Sequence, residues 1–357
     1  MRIFVAILLG VLVLSSSTVF AADLGGLQVF GAIDLASELG IENPTPDGGR
    51  LKVRSFEIAI SGPVDPLFDT LINIAGHDES GTIEVELHEA VISSSRLLPG
   101  ARVRAGRFLL GVGRLNQFHS HDWPFFSAAK MQSLFFAEEA VADSGVEVGY
   151  QLPWDIGIPI DIVAGATNGW SYGHTHTGGQ RPLTPTHYLH PSLFIEGESA
   201  GVGTQLGFNY LGRTDSDSLR LQLTGLDLTH KRRTGKRLDF LLQAEAFHRL
   251  RAKANSANME DVAGYIYSEW ALDETWSAGL RADGYSDLSL TFGTGDTRKN
   301  FDYGFVPTLT YRPSEFSRLQ FSYSLQTETK EGDQNRNEQI IFVQLVSMIG
   351  AHPAHDF

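Results

Sequence analysis

The stretch Phe301–Arg312, FDYGFVPTLTYR, separates cleanly into two faces. One parity carries Phe301, Tyr303, Phe305, Pro307, Leu309 and Tyr311; the other carries Asp302, Gly304, Val306, Thr308, Thr310 and Arg312. Successive side chains of a strand point to opposite faces, so this segment is a strand with one greasy and one mainly polar face. Residues 318–328 repeat the pattern, with Leu319, Phe321, Tyr323 and Leu325 set against Arg318, Gln320, Ser322, Ser324, Gln326 and Glu328. Long strands of this kind suit a sheet closed around water and set in lipid. The expected fold is all-β, a transmembrane antiparallel β-barrel in an outer membrane.

The N-terminus agrees with that address. Residues 1–21 hold Arg2, an apolar run from Ile3 to Leu14, and small residues ahead of Val19-Phe20-Ala21, the layout of a cleaved signal peptide. The rest, 22–357, reads as one barrel domain in the outer membrane of a diderm bacterium. It contains no uninterrupted apolar stretch long enough for a spanning helix.

A period-two template applied outward from residue 301 finds about sixteen strands. They fall near 27–37, 50–61, 67–76, 81–92, 101–112, 144–152, 157–168, 187–197, 202–212, 217–228, 237–250, 260–271, 274–285, 300–312, 316–328 and 338–349. If the first strand runs outward, the turns around 61–66, 154–157, 273–274 and 313–314 are periplasmic, and the long segments 38–49, 113–143, 169–186 and 286–299 face outward. Short inside and long outside is the asymmetry of such barrels.

Composition excludes several classes. There is no cysteine, so disulfides, thiolate metal sites and cysteine nucleophiles are ruled out. The net charge of −14 argues against nucleic acid as a partner.

A sixteen-strand barrel is wide enough for a water channel unless something folds into it. The third outer segment, 113–143, is the candidate. It holds Phe118, Trp123, Phe125, Phe126, Phe135 and Phe136, too many aromatics for a loop in water. It is expected to fold into the lumen, with Arg114, Asp122, Trp123, Phe125, Phe126, Glu138 and Glu139 forming the pore constriction.

Several strings in and beyond this segment carry a resemblance. Gly106-Arg107-Phe108, Gly113 to Asn116, His119-Ser120-His121, Trp123-Pro124-Phe125, Phe135 to Glu139, Asp143 to Glu147, Tyr267 to Arg281 and the ending Ile349 to Phe357 are similar to porin-like outer-membrane proteins often labelled zinc-regulated. That group is similar in turn to the phosphate-selective porin superfamily. The resemblance implies a passive or metal-related envelope channel, and it implies that the terminal Phe357 is an assembly signal read by the barrel-assembly machinery. Some of that group carry a TonB-dependent receptor label, which needs a plug and about 22 strands, and this chain has room for neither.

Six of the twelve histidines fall in two candidate outer segments: His119 and His121, then His174, His176, His187 and His190. A His-x-His pair in an extended stretch puts both rings on one face, roughly 7 Å apart along the backbone. Imidazoles with Asp122, Glu138 or Glu139 suit zinc, copper or nickel, so a transient zinc or other divalent ion is the candidate ligand, with no cofactor required.

On the inward parity lie Arg102, Arg104, Arg220 and Arg318, set against Glu84, Glu86, His88 and Glu245, a field of two signs without the arginine ladder of a phosphate filter. The basic stretch 230–237 reads as a solvated periplasmic turn. The expected function is a porin passing small hydrophilic solutes, linked to divalent metal and contacting outer-membrane lipid; whether it assembles as a homotrimer is left open by the sequence. The alternatives are a non-conducting metal-binding or adhesive surface barrel and, more remotely, an outer-membrane hydrolase. Against the last, the His119-Ser120-His121-Asp122 cluster comes with no G-x-S-x-G elbow and no HExxH motif, so the chain is not expected to be an enzyme.

Overall fold

The computed structural model describes residues 26–41, 48–79, 81–137, 139–154, 157–170, 181–254, 258–289 and 299–350. In β14 (Asn300–Ser314) the two parities take the two sides of the wall. Phe301, Tyr303, Phe305 and Leu309 are exposed outward, while Asp302, Val306, Thr308 and Thr310 are buried inward. The same alternation sets Ile58 and Ile60 against Glu57 and Ala59, and Leu206 and Phe208 against Asn209. An apolar exterior over a polar interior is the inverse of a water-soluble sandwich and matches a wall facing hydrocarbon.

The strands are β1 (Gln28–Gly40), β2 (Lys52–Pro63), β3 (Asp69–Glu79), β4 (Thr82–Ser94), β5 (Ala101–Leu109), β6 (Ala142–Gln151), β7 (Ile160–Thr167), β8 (Thr184–Glu196), β9 (Val202–Thr214), β10 (Arg220–Thr234), β11 (Arg237–Ala252), β12 (Met259–Ala271), β13 (Trp276–Ser289), β14, β15 (Ser317–Lys330) and β16 (Arg336–Ile349). Each pairs antiparallel with its neighbours, and β1 closes on β16 with Gly31 opposite Ile349 and Gly40 opposite Ile340. Closure satisfies every ladder and leaves no edge for lipid to meet.

The even strand number returns β16 to the rim where β1 begins. Several strands run past their expected ends, among them β3 to Glu79, β10 to Thr234 and β13 to Ser289. The first extension matters below, because it brings His77 into the ladder. The second corrects the expected basic turn, since only Gly235 and Lys236 separate β10 from β11 and Lys231 and Arg232 are paired strand residues. On the long-loop rim β3 ends at Glu79 and β4 begins at Thr82, in keeping with the short connection expected there.

The third loop (residues 110–141) turns back into the barrel, as its apolar content requires. It carries two short 3-10 turns, Leu115–Gln117 and Ser120–Asp122, and one helix, α1 (Lys130–Phe135). Trp123, Phe125, Met131 and Phe136 are buried against wall residues Phe247, Tyr265 and Tyr267. Phe125 meets the rings of Tyr265 and Tyr267 edge-on, at 5.5 and 5.2 Å between centroids.

Candidate functional site in the lumen

The third loop is held by backbone contacts to charged wall residues. Glu245 on β11 accepts the backbone N–H of Arg114 (2.6 Å) and of Leu115 (2.9 Å), and Tyr265 donates to it as well. Gly113 makes this approach feasible: its φ is +70°, and a Cβ there would meet Glu245 Oε2 at 3.0 Å. On β15, Arg318 donates to the carbonyls of Trp123 (2.7 Å) and His121 (2.8 Å), and Gln320 donates to that of Pro124 (2.9 Å). Arg281 on β13 is paired with Asp283 and donates to the carbonyl of Ser127. On β2, Arg54 bonds both Asp34 and the carbonyl of Phe126.

These clamps seat the loop against β11 to β15 and β1 to β2, leaving a cavity of about 900 Å³ beside the wall from β1 to β9. It reaches the short-turn rim at Ser95, Gly100 and Pro159 and ends inward at His119, His121 and Asp122. Glu57 and Glu89 line one flank; Arg102 and Arg104 line another. Arg104 is bidentate to Glu147, at 2.7 and 2.9 Å, so part of the basic flank is neutralised locally.

At the inner end of the cavity four histidines stack into a column. Ring centroids are 5.0 Å apart for His77 and His88, 5.3 Å for His88 and His119, and 5.8 Å for His119 and His121, with planes within 22° of parallel throughout. Carboxylates surround it. Glu86 lies 3.4 Å from His88 and Glu139 lies 3.1 Å from His77. Glu57 lies 3.1 Å from His121, Glu89 lies 3.1 Å from His119, and Asp122 lies 3.4 Å from His121.

Burial opposes charge on His119, but the carboxylates of Glu57, Glu89 and Asp122 outweigh it and lift its pKa to about 10. His121 is raised against the same burial, by Asp122 and then Glu57. The surrounding carboxylates thus favour the protonated form of both imidazoles, and a metal ion that binds there must displace a proton.

A β-bulge builds this column. The register of β3 on β4 shifts so that Asn73 faces Glu89 while Ile74 faces Leu87, leaving His88 as the extra residue. Both His88 and Glu89 are buried on the inner side, where strict alternation would turn one of them to lipid.

The expected site residues divide accordingly. His119 and His121 come together with His77 and His88. His174 and His176 lie outside the described residues, as do Glu138 and Phe357. His187 and His190 are three apart on one strand and so take opposite faces: His187 is exposed, while His190 is buried and 3.1 Å from Asp227.

In the expected constriction set, Asp122 and Arg114 line the cavity and Glu139 meets His77. Trp123, Phe125 and Phe126 are sealed against the wall, because their rings are worth more packed than wetted, and they line no open space. Of the lumen charges, Arg102 and Arg104 face the cavity and Glu86 joins the histidines. Arg318 and Glu245 serve as loop clamps rather than as free field charges. Arg220 and Glu84 are exposed toward the long-loop rim.

The strand pattern did not single out His77, Glu57 or Glu89. Continuing the β3 alternation one residue past 76 reaches the first.

No family model matches the chain. An uncharacterized protein of Aquifex aeolicus (strain VF5) is 24% identical over 332 residues, 84% of this chain and 69% of that one. Among solved structures, the outer membrane channel DcaP of Acinetobacter baumannii superposes with a TM-score of 0.59 at 10% identity, covering 93% of this chain and 100% of that one. The anion-selective porin from Comamonas acidovorans gives 0.58 at 10%, covering 90% and 99%. OmpT of Vibrio cholerae in its trimer form gives 0.58 at 8%, covering 90% and 98%. The fold is thus that of the outer-membrane porins, a closed sixteen-strand antiparallel barrel. These likenesses show the porin fold and carry nothing about zinc.

Proposed function

We propose that this chain is a passive outer-membrane channel for small hydrophilic solutes, divalent metal ions among them. It is delivered by a cleaved signal at 1–21 and inserted as one barrel. The observation that carries the reading is the cavity of about 900 Å³ that the inward-folded third loop leaves along the wall from β1 to β9, with charged flanks of both signs. Selection in such a route is by size and field, with no catalytic step. Passage runs between the loop and the acidic wall, where Glu57 and Glu89 favour cations over anions.

Assembly as a homotrimer belongs to the same proposal and is supported by the trimeric form of a porin of this fold. The test is swelling of liposomes carrying the refolded protein in iso-osmotic solutions of small sugars and amino acids. Swelling that falls off with solute size supports the channel; liposomes indistinguishable from protein-free ones refute it and leave a sealed surface barrel.

A further inference from the structure

Two triangles of ligand atoms share one imidazole where β2, β3 and β4 meet the third loop. In the first, His77 Nε2 and His88 Nε2 are 2.9 Å apart, and Glu86 Oε1 lies 3.6 Å from the former and 3.4 Å from the latter. In the second, His88 Nδ1 and His119 Nδ1 are 3.4 Å apart, and Glu57 Oε1 lies 3.9 Å and 3.4 Å from them. A tetrahedral zinc ion with nitrogen and oxygen ligands at ~2.0–2.2 Å sets those ligands about 3.3 Å from one another. The edges of the first triangle bracket that length, and those of the second, 3.4 to 3.9 Å, lie just above it.

The far nitrogens are engaged as well. Glu139 Oε1 lies 3.1 Å from His77 Nδ1, and Glu89 Oε2 lies 3.1 Å from His119 Nε2. A carboxylate on the far nitrogen of a ligating imidazole fixes its tautomer and orientation, the support that metal-binding histidines ordinarily have. Nitrogen and carboxylate donors in threes suit zinc and its neighbours in the series, while calcium and magnesium prefer all-oxygen shells.

We propose that these triangles are two stations of a hand-over path for a zinc-like divalent cation, with His88 passing the ion from one to the other. The proposal rests on the channel reading above and names one class of cargo for it. A neutral imidazole offers a single nitrogen lone pair, so His88 serves one station at a time and the barrel holds one ion across the pair. With Glu139 kept on the far nitrogen of His77, each station supplies three protein ligands and leaves a fourth position to water, which keeps exchange open, and binding that permits release is what conduction requires.

The order of stations follows from the fold. His77 and Glu86 lie toward the rim where β3 and β4 are joined at 80–81. Glu57 and His119 line the cavity that runs to the opposite rim. The bulge at His88 is what places one ring between the two.

The experiment is titration of the refolded full-length barrel with Co²⁺, followed by its visible absorption, and with Zn²⁺ by calorimetry. One ion per barrel is expected. His77→Ala and His119→Ala should each retain one ion at the surviving station. His88→Gln and the double variant His77→Ala/His119→Ala should lose affinity on the order of 100-fold. Unchanged affinity in His88→Gln, or two ions bound together, overturns the shared-ligand path.

X-ray absorption of the zinc-loaded wild type needs no variant: a shell with two nitrogens supports the path, and an all-oxygen shell overturns it. Potassium conductance of the same samples separates the two readings. Wild type that conducts potassium but binds no Co²⁺ defeats the path and spares the channel. Wild type that binds Co²⁺ and conducts nothing defeats the channel reading and, with it, the hand-over.

Discussion

The carboxylate of Glu245 lies 2.6 Å from the backbone nitrogen of Arg114, across 131 residues of sequence, and this contact hangs the third loop on the barrel wall. Replacing Glu245 with alanine leaves two buried loop N–H groups without their acceptor. The expected cost is about 1–3 kcal/mol. It should appear as a lower urea midpoint and faster proteolysis within residues 110–141, whereas wild-type protease resistance would show that the loop is held elsewhere.

Removing residues 117–137 takes away the helix and the aromatic seal while leaving the barrel ladder intact. Single-channel conductance should rise, because the lumen then approaches its full bore. An unchanged conductance would mean that the loop lies outside the conducting path.

The exposed parity of β14 is assigned to lipid. Phe305→Arg should therefore destabilise the barrel by about 2–4 kcal/mol if Phe305 sits near the bilayer midplane. Unfolding in urea from liposomes measures this, and a cost near zero would contradict the assignment of faces.

The acidic flank sets the sign of the field. Glu57→Gln with Glu89→Gln should shift the reversal potential in a salt gradient toward anions, and Arg102→Glu should shift it toward cations. A pair of shifts with the same sign would remove these residues from the path.

His187 offers an internal control. It is exposed on the outer face of β8, so His187→Ala should leave any effect of zinc on the current as in wild type. His119→Ala should reduce that effect. Equal zinc sensitivity in both variants would detach zinc from the column.

Much of this architecture was legible because period two is a strong signal when one face is greasy and the other polar. The strand count, closure and the inward fold of an aromatic-rich third loop all follow from that contrast and from the cost of wetting Trp123 and Phe125. What stayed hidden depended on register. The bulge that turns both His88 and Glu89 inward leaves no mark in the spacing of the residues, and ending β3 at 76 kept His77 out of view.

Arg318 and Glu245 looked like field charges because a sequence shows parity and charge but not which loop carbonyl or N–H will reach them. His187 and His190 could have been separated in advance, since an odd spacing on a strand forbids a shared face.

The most direct test of the central claim is single-channel conductance of the refolded protein in a planar bilayer, recorded with and without micromolar zinc. Ion-selective current steps that zinc reduces are the predicted result. Silence from folded, heat-modifiable protein would contradict it, because a lumen sealed by its third loop carries no solute.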